Sequence, residues 1–458
     1  MEINKELIKK YNQAGPRYTS YPPATFFNEK YSADNYLEDI AASNHDQPQN
    51  ISLYVHIPFC PRLCHFCGCN TMISQKEEQI RTYISALKRE IEMVAANLDL
   101  SRPVTQIHWG GGTPNSISLS LIEEVMEQFH YTFKIAPHAE IAMECSPAYL
   151  SPEDISRLVS MGFNRLSLGI QDFNEDVLKI VNRKSSKYPV EQLVDQMRAV
   201  GLKGINFDFI YGLPGQTTES FAETIKKAVS YHPHRLVTFS YAHVPWVKKA
   251  QQILEKTGLP GPEEKMEMLE TSMHIINSSG YETIGMDHYA LPDDPLSIAR
   301  KNNKLHRNFQ GYCTRETTGQ VYAFGTSSIS QLERAYCQNE KDLNAYISRI
   351  GNGELPIARG YRTFPSERII RHVINEVMCN GRVDLEQVAT LYNHPVDDVI
   401  RFTTFEPDKF AEMAEDGLLG VDDKKLTVSP AGMMVVRNIA MKLDPLLETS
   451  QARYSKTV

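Results

Sequence analysis

The chain has 458 residues, a formal net charge of -8 and eight cysteines. That length supports a substantial core and normally divides into two or three domains, while the acidic balance leaves no basic patch to displace phosphate counterions and excludes a nucleic-acid partner. No apolar run reaches the roughly 18 residues of a membrane helix, the start Met1-Glu2-Ile3-Asn4-Lys5 lacks a signal-peptide pattern, and Cys145, Cys313, Cys337 and Cys379 are scattered as in a reducing compartment. A soluble cytoplasmic protein without a membrane span is expected.

In chain order, Gly15-Pro16-Arg17-Tyr18-Thr19-Ser20-Tyr21-Pro22-Pro23 is too rich in proline for a helix or central strand and is expected to be an extended arm. Such an arm either packs on the surface or uses Arg17 to close over a ligand carrying carboxylates. From Ile51 a strand, loop and helix pattern repeats. Strands are expected over Ile51–Ile57, Val104–Trp109, Glu140–Glu144, Asn164–Ile170, Gly204–Ile210 and Arg235–Ser240. Between them, Ile80, Ile84, Leu87, Ile91 and Val94 recur at helical spacing, a second helix spans about Leu119 to Phe133, and Ser151-Pro152 opens a third as N-cap and first turn. The stripe Phe221, Ile225, Val229 marks another helix. Six strands alternating with helices imply a parallel sheet, either doubly wound or a full or partial β/α barrel, with functional groups past the strands' C-terminal ends.

Polar and small residues do collect at those ends. Gly110-Gly111-Gly112-Thr113-Pro114 follows the second strand, Glu144 closes the third, Gln171-Asp172 follows the fourth, Asp208 lies in the fifth ahead of Tyr211-Gly212-Leu213-Pro214-Gly215, and Tyr241-Ala242-His243 follows the sixth. After the first strand comes Cys60-Pro-Arg-Leu-Cys64-His-Phe-Cys67-Gly-Cys69, half of all the cysteines within ten positions. Closely spaced thiolates on one loop can wrap a metal centre. A second CxxC knuckle for zinc is missing, and three thiolates in CxxxCxxC suit a cubane iron–sulfur cluster with one iron left open. A zinc loop and a disulfide pair are the bland alternatives. Cys69 is one thiol beyond that need and could be a spare ligand, a redox partner or a small buried hydrophobe.

Past the sixth strand, Gly285-Met286-Asp287-His288-Tyr289 and Leu305-His306-Arg307-Asn308 mix histidine, arginine and aromatics. His306-Arg307 is expected to form an anion site in a loop, and Ala323 to Ser330 is small enough for close approach to a ligand. From about Thr363 helices alone are expected: one stripe of Ile370, Val373, Ile374 and Val377, another of Leu385, Val388 and Leu391, and a last helix opened by Ser429-Pro430. A hairpin from Gly417 to Val428 turns at Asp422-Asp423. The acidic tip opposes a phosphate backbone, so this region is expected to pack or to cover substrate.

The cysteine spacing, with Phe66 before the third cysteine, resembles the radical S-adenosylmethionine superfamily. GPRYTSYP, YVHIPFC, CxxxCxFCGCN, HWGGGTP, NRLSLGIQDFN, FDFIYGLPGQT, GMDHYA and HRNFQGY occur in order, and with them nearly the whole chain resembles the oxygen-independent coproporphyrinogen III oxidases, also called coproporphyrinogen dehydrogenases. The resemblance implies an α/β fold, a partial (β/α)6 TIM-like barrel of the radical SAM type over 49–355, an N-terminal arm over 1–48 and a mainly helical domain over 356–458. It implies a 4Fe-4S cluster held by Cys60, Cys64 and Cys67, and two S-adenosyl-L-methionine molecules. Tyr54, Gly111, Glu144 and Ile329 would line the cluster-bound cofactor; Phe66, Gly112, Thr113, Gln171, Arg183, Asp208 and Ala242 would line the second. Cys69, required without being a ligand, Tyr54 and His56 would be catalytic, and Arg17 and Arg307 would hold propionates. Ser146 stands where an acidic or amide residue is expected before Pro147.

The implied activity is anaerobic oxidative decarboxylation of two propionates of coproporphyrinogen III to vinyl groups, giving protoporphyrinogen IX. The implied partners are that substrate and an electron donor such as a flavodoxin or ferredoxin, with the chain a monomer. The alternatives are a haem-binding carrier sharing the cysteine loop and barrel, and a radical SAM enzyme that opens the haem ring.

Overall fold

The computed structural model describes residues 5–11 and 13–447. The opening stretch read for a signal pattern therefore lies outside the described residues except for Lys5. The chain divides into two compact units interleaved along the sequence: a larger one of residues 27–261 and 316–362, and a smaller one of residues 1–26, 262–315 and 363–458. These cuts fall at other places than 48/49 and 355/356.

The larger unit is built on ten hydrogen-bonded strands, and its six expected strands are present: β1 (Ile51–Ile57), β2 (Pro103–Gly111), β3 (Lys134–Cys145), β4 (Arg165–Gln171), β5 (Gly204–Tyr211) and β6 (Arg235–Ser240). They lie side by side in sequence order and all pair parallel. β3 is much longer than Glu140–Glu144; it starts at Lys134 directly after the preceding helix. Four further strands lie beyond β1, namely β7 (Gln320–Phe324), β8 (Ile329–Gln331), β9 (Ala335–Asn339) and β10 (Ile357–Arg362), of which β7 is parallel to β1 and the rest antiparallel. The partial barrel of six βα units is thus extended at one edge by chain that returns after residues 262–315 have contributed to the other unit.

The crossover helices form where the periodicity placed them. Glu77–Ala95 buries Ile80, Ile84, Leu87, Ile91 and Val94 on one face, and Leu119–Thr132 buries Leu121, Ile122, Val125 and Phe129. Ser151 caps Pro152–Ser160 through a reciprocal pairing with Asp154, which satisfies two otherwise orphaned amide groups. One face of the parallel strands is mostly apolar, whereas Tyr54, His108, Glu140, Glu144, Ser167, Gln171, Asn206 and Asp208 are only half-buried on the other. Asp172, beside the candidate site in sequence, is a framework group: it is 1% exposed and accepts hydrogen bonds from Gln216, Thr224 and the Asn174 amide.

In the smaller unit, Pro365–Asn380 buries Ile369, Ile370, Val373, Ile374 and Val377 in a core that also takes up Tyr18 and Tyr21 of the N-terminal arm. The arm is therefore packed, with both tyrosine hydroxyls donating to Asp444 at 2.9 Å, and a helix Lys5–Tyr11 precedes it. Helices alone do not make up the C-terminal region. Arg382–Asp384 joins Leu419–Asp422 and Lys425–Val428 in a three-stranded sheet whose hairpin turns at Asp423-Lys424, one residue beyond Asp422-Asp423. The last helix begins later than Ser429-Pro430, as a 3-10 turn at Gly432 and an α-helix at Val436.

At one level of the sheet's half-buried face, Glu140 of β3 meets Arg165 at 2.9 Å and Arg235 at 3.7 Å, with Gln106 at 3.2 Å. Burial alone would raise the Glu140 pKa, but the two guanidinium groups outweigh it and hold it at about 2. A carboxyl depressed in the folded state contributes stability above its unfolded value near 4.5 and loses it as pH falls toward 2. Glu140→Gln removes the carboxylate charge that faces two buried arginines, a cost of about 3–5 kcal/mol at pH 7. In thermal melts the gap between wild type and variant should be several degrees at pH 7 and shrink steadily below pH 4.5; a gap independent of pH contradicts the assignment.

Candidate active site

The segment carrying Cys60, Cys64, Cys67 and Cys69 leaves the C-terminal end of β1 and has little regular structure of its own, only the pairing of Phe59–Cys60 with Met72–Ile73. Its shape comes from borrowed hydrogen bonds. The Gly112 and Thr113 amides donate to the Ile57 and Phe59 carbonyls at 2.8 and 3.0 Å. His65 N donates to Val181 O at 2.9 Å, Asn182 to Leu63 O at 2.8 Å, Lys248 to Cys69 O at 2.7 Å, and Gln251 to both Phe66 O and Ala242 O. The Phe66 ring packs on Val177, Val181, Leu213, Tyr241 and Leu254, which fixes the loop's middle.

The triple glycine has a packing reason at each position. A Cβ on Gly110 would come within 2.8 Å of the Glu144 carboxylate and 3.0 Å of the Tyr54 hydroxyl, one on Gly111 within 2.8 Å of the His56 ring, and one on Gly112 within 2.8 Å of the Pro58 and Phe59 carbonyls. Gly111 also has φ +114°, closed to other residues without strain. The second strand's end can thus lie directly against the cysteine loop.

The thiols differ. Burial pushes Cys60 up to about 11 despite the Thr113 hydroxyl 3.3 Å from its sulfur, and burial likewise raises Cys64 against the pull of Arg183, whose Nη1 lies 3.7 Å away. The Cys69 thiol bonds to the Cys67 sulfur, which lowers Cys67 to about 6 and raises Cys69 far above its ordinary value. Cys69 is exposed, so it is not the small buried hydrophobe considered above. All eight cysteines are free, which disposes of a disulfide pair. Among the described residues no three His, Cys, Asp or Glu side chains converge tightly enough to hold one metal ion. A cubane does not need such convergence, because each thiolate binds a different iron. Three soft thiols on one side, one of them poised as thiolate, next to a guanidinium and a hydroxyl, fit such a cluster.

Around the loop the structure gathers most of the expected residues. Tyr54 on β1 lies opposite His108 on β2; their rings stack at 5.9 Å, and His108 Nε2 donates to Glu144 at 3.0 Å. Buried His56 has its pKa lowered by desolvation and is neutral. Its Nε2 faces the Asn70 carbonyl at 3.0 Å, which can only accept, so the ring proton sits there and Nδ1 accepts from Tyr54 at 3.3 Å. Arg183 reaches from Cys64 to the Gly169 carbonyl. Asp208 accepts from Ser167 at 2.7 Å, and Gln171 ends β4 with a left-handed φ of 70°, unusual for a non-glycine residue and typical of functional positions. Ala242 follows β6, and Ile329 opens β8 after the turn that ends β7. Arg17 and Arg307 belong to the smaller unit, where Arg307 lies on a strand, Leu305–Asn308, paired with Gly311–Thr314 in a tight hairpin rather than in a loop.

Sequence reasoning passed over His108 and Gln251. His108 was legible, since it opens the HWGGGTP stretch and alternates with the buried Ile107 and Trp109. Gln251, 1% exposed in a short helical turn, carries no signal in its neighbourhood. Gly111→Ala should force the His56 ring aside; the reconstituted variant is expected to melt several degrees lower and to lose cofactor affinity with its cysteines intact, and unchanged melting and binding would refute the packing role.

Among the described residues no helix is long and apolar enough to cross a membrane. The Radical SAM superfamily profile matches residues 54–228. The chain is 38% identical over 461 residues to an oxygen-independent coproporphyrinogen III oxidase of Synechocystis, covering 100% of this chain and 98% of that protein, and 38% identical to its counterpart from Escherichia coli K12, covering 96% and 95%. The solved structure of coproporphyrinogen III oxidase from Escherichia coli, a radical SAM enzyme, superposes with a TM-score of 0.90 at 36% identity over 97% of this chain and 99% of that one. The chain belongs to the oxygen-independent coproporphyrinogen III oxidase family, with the radical SAM fold.

Proposed function

We propose that the chain catalyses the oxygen-independent conversion of coproporphyrinogen III to protoporphyrinogen IX, removing from each of two propionates a β-hydrogen atom, one electron and carbon dioxide to leave a vinyl group. The observation that carries the reading is identity of 37–38% over essentially the full length to relatives bearing that activity's name. The cysteine loop, with its thiols beside the triple glycine and the Tyr54–His108–Glu144 group, supports it.

A 4Fe-4S cluster with S-adenosyl-L-methionine bound here would supply radical chemistry able to abstract hydrogen from an unactivated carbon. Cys60, Cys64 and Cys67 would each hold one iron. Glu144, oriented by His108, suits the ammonium of the cluster-bound cofactor, with Tyr54, Gly111 and Ile329 around it. Arg183 suits the carboxylate of a second cofactor and Asp208 its cationic part, flanked by Phe66, Gly112, Thr113, Gln171 and Ala242. Tyr54 and neutral His56 form a hydrogen-bonded pair, and Cys69 is the proposed third catalytic residue, a thiol held protonated by its bond to Cys67. Arg17 and Arg307 would bind propionates. The electron comes from a donor such as a flavodoxin or ferredoxin, and the protein works as a cytoplasmic monomer.

Reconstituted anaerobically with iron and sulfide, then given a reductant, S-adenosyl-L-methionine and coproporphyrinogen III, the chain should yield a product lighter by two carbon dioxide units and four hydrogens, with about two equivalents of methionine. Changing any of Cys60, Cys64 or Cys67 to alanine should abolish both the brown colour and methionine release. A colourless wild-type protein, or unchanged substrate mass, would sink the reading.

A further inference from the structure

Glu90 has no part in the chemistry described above, yet it sits in the core of the larger unit. It lies on the helix Glu77–Ala95, two turns beyond Tyr83 and so on the same face, and is 2% exposed. Its three donors are neutral: the Gly325 amide at 2.8 Å and the Tyr346 hydroxyl at 2.6 Å meet one oxygen, and Asn339 Nδ2 at 2.5 Å meets the other. Burial pushes its pKa up to about 7 against the pull of these donors. A carboxylate in such a place is costly to bury, and what it contributes is the order it imposes on the groups around it.

Those groups belong to one turn. β7 ends at Phe324, and residues 325–328 lead straight into β8, which opens at Ile329. Glu90 takes the Gly325 amide. Asn339, held against Glu90, also places Nδ2 2.9 Å from the Gly325 carbonyl and 3.1 Å from Ser328 Oγ, and its backbone amide donates to the Ser328 carbonyl at 3.0 Å. Tyr83 completes the set: its hydroxyl accepts from the Thr326 amide at 3.1 Å and donates to the His56 carbonyl at 2.6 Å. The turn lies so close to β1 that a Cβ on Gly325, where φ is +96°, would come within 2.6 Å of that His56 carbonyl. One carboxylate thus fixes the approach of Ile329 and, through the turn and Tyr83, backs the strand end that bears Tyr54 and His56.

Every group facing the carboxylate donates, so polarity as well as shape decides the fit. Asn339 turns Nδ2 toward Glu90 because an ionised carboxyl oxygen can only accept. An amide in place of the carboxylate must present its hydrogens either to the Gly325 N–H or to Asn339 Nδ2, and a buried donor is then left unpaired. We propose that Glu90 is a positioning residue for cofactor binding, its carboxylate holding the 325–328 turn in the arrangement that sets Ile329 against the cluster-bound cofactor and supports His56. The inference rests on the placement of Ile329 and His56 at the S-adenosyl-L-methionine site.

The test is a reciprocal exchange in the full chain reconstituted with iron and sulfide, read by equilibrium dialysis against S-adenosyl-L-methionine and by thermal melting. Glu90→Gln and Asn339→Asp should each weaken binding about tenfold or more, the scale of a buried polar group left unpaired. Made together, the two changes restore an amide facing a carboxylate with the roles exchanged, and the new amide's oxygen can still accept from Gly325 and Tyr346. Affinity should then return to within about threefold of wild type. Leu193→Ala, which opens a cavity under another crossover helix of the same unit, should lower the melting temperature and leave binding unchanged. Unchanged binding in the single variants, a double variant as weak as either, or affinity that falls with the melting temperature in Leu193→Ala as well, each overturns the proposal. If a single variant fails to fold, the double variant decides, since it must fold and bind. Failure of the functional reading is separate: there the wild-type chain itself binds no cofactor and leaves coproporphyrinogen III unconverted.

Discussion

Everything at the candidate site depends on holding a nearly structureless loop still while keeping its sulfurs apart. Deprotonated thiols repel one another, and a loop without a ladder or a helix of its own cannot resist that repulsion. The chain supplies the rigidity from outside. Backbone amides of the second strand's end, side chains of Asn182, Lys248 and Gln251, and the apolar seat under Phe66 each fix a different part of the loop. The triple glycine is the steric condition for this, since a Cβ at Gly111 would push against His56, one at Gly112 against the Pro58 and Phe59 carbonyls, and one at Gly110 against Glu144 and Tyr54. Sulfur chemistry is divided among neighbours in the same way, with Thr113 at Cys60, Arg183 at Cys64 and Cys69 at Cys67.

The third strand shows how environment assigns roles to identical side chains. Glu140 and Glu144 lie four residues apart and so on the same face of β3. Glu140 is closed in by two arginines and a glutamine, and its side chain is 19% exposed. Glu144 has one histidine at its oxygen and is 47% exposed. The first has its charge spent within the fold and can only stabilise it; the second keeps lone pairs for a ligand.

Much of this was legible because it follows from period and spacing. Two-residue alternation located all six parallel strands, helical stripes located the crossovers, and CxxxCxxC located the thiols. Signals that travel through space rather than along the chain were not legible. β7 continues the parallel sheet beyond β1, yet it is more than 260 residues away in sequence and its short apolar run resembles many others. Arg307 reads as a loop residue from its Asn-Phe-Gln-Gly surroundings, but those residues make the tight turn of a two-stranded hairpin that buries it. The hairpin turns at Asp423-Lys424, one residue beyond Asp422-Asp423, since aspartate suits a turn at either position and the cross-strand pairing of Asp422 with Lys425 decides the matter.

The smaller unit is assembled from three separated stretches of the chain, and its contacts show what that requires. Tyr18 and Tyr21 bond to Asp444 across more than 420 residues, and Arg437 bonds to Gly15 and Pro16 across a similar separation. Contacts of that range are entropically expensive to form and come late in folding, after local helices and hairpins exist. The repulsion of Arg437 by Arg17 and Arg307 opposes the same closure. It is overcome by tyrosines in an apolar core, two carbonyls accepting from the Arg437 guanidinium, and a buried aspartate accepting from two phenols.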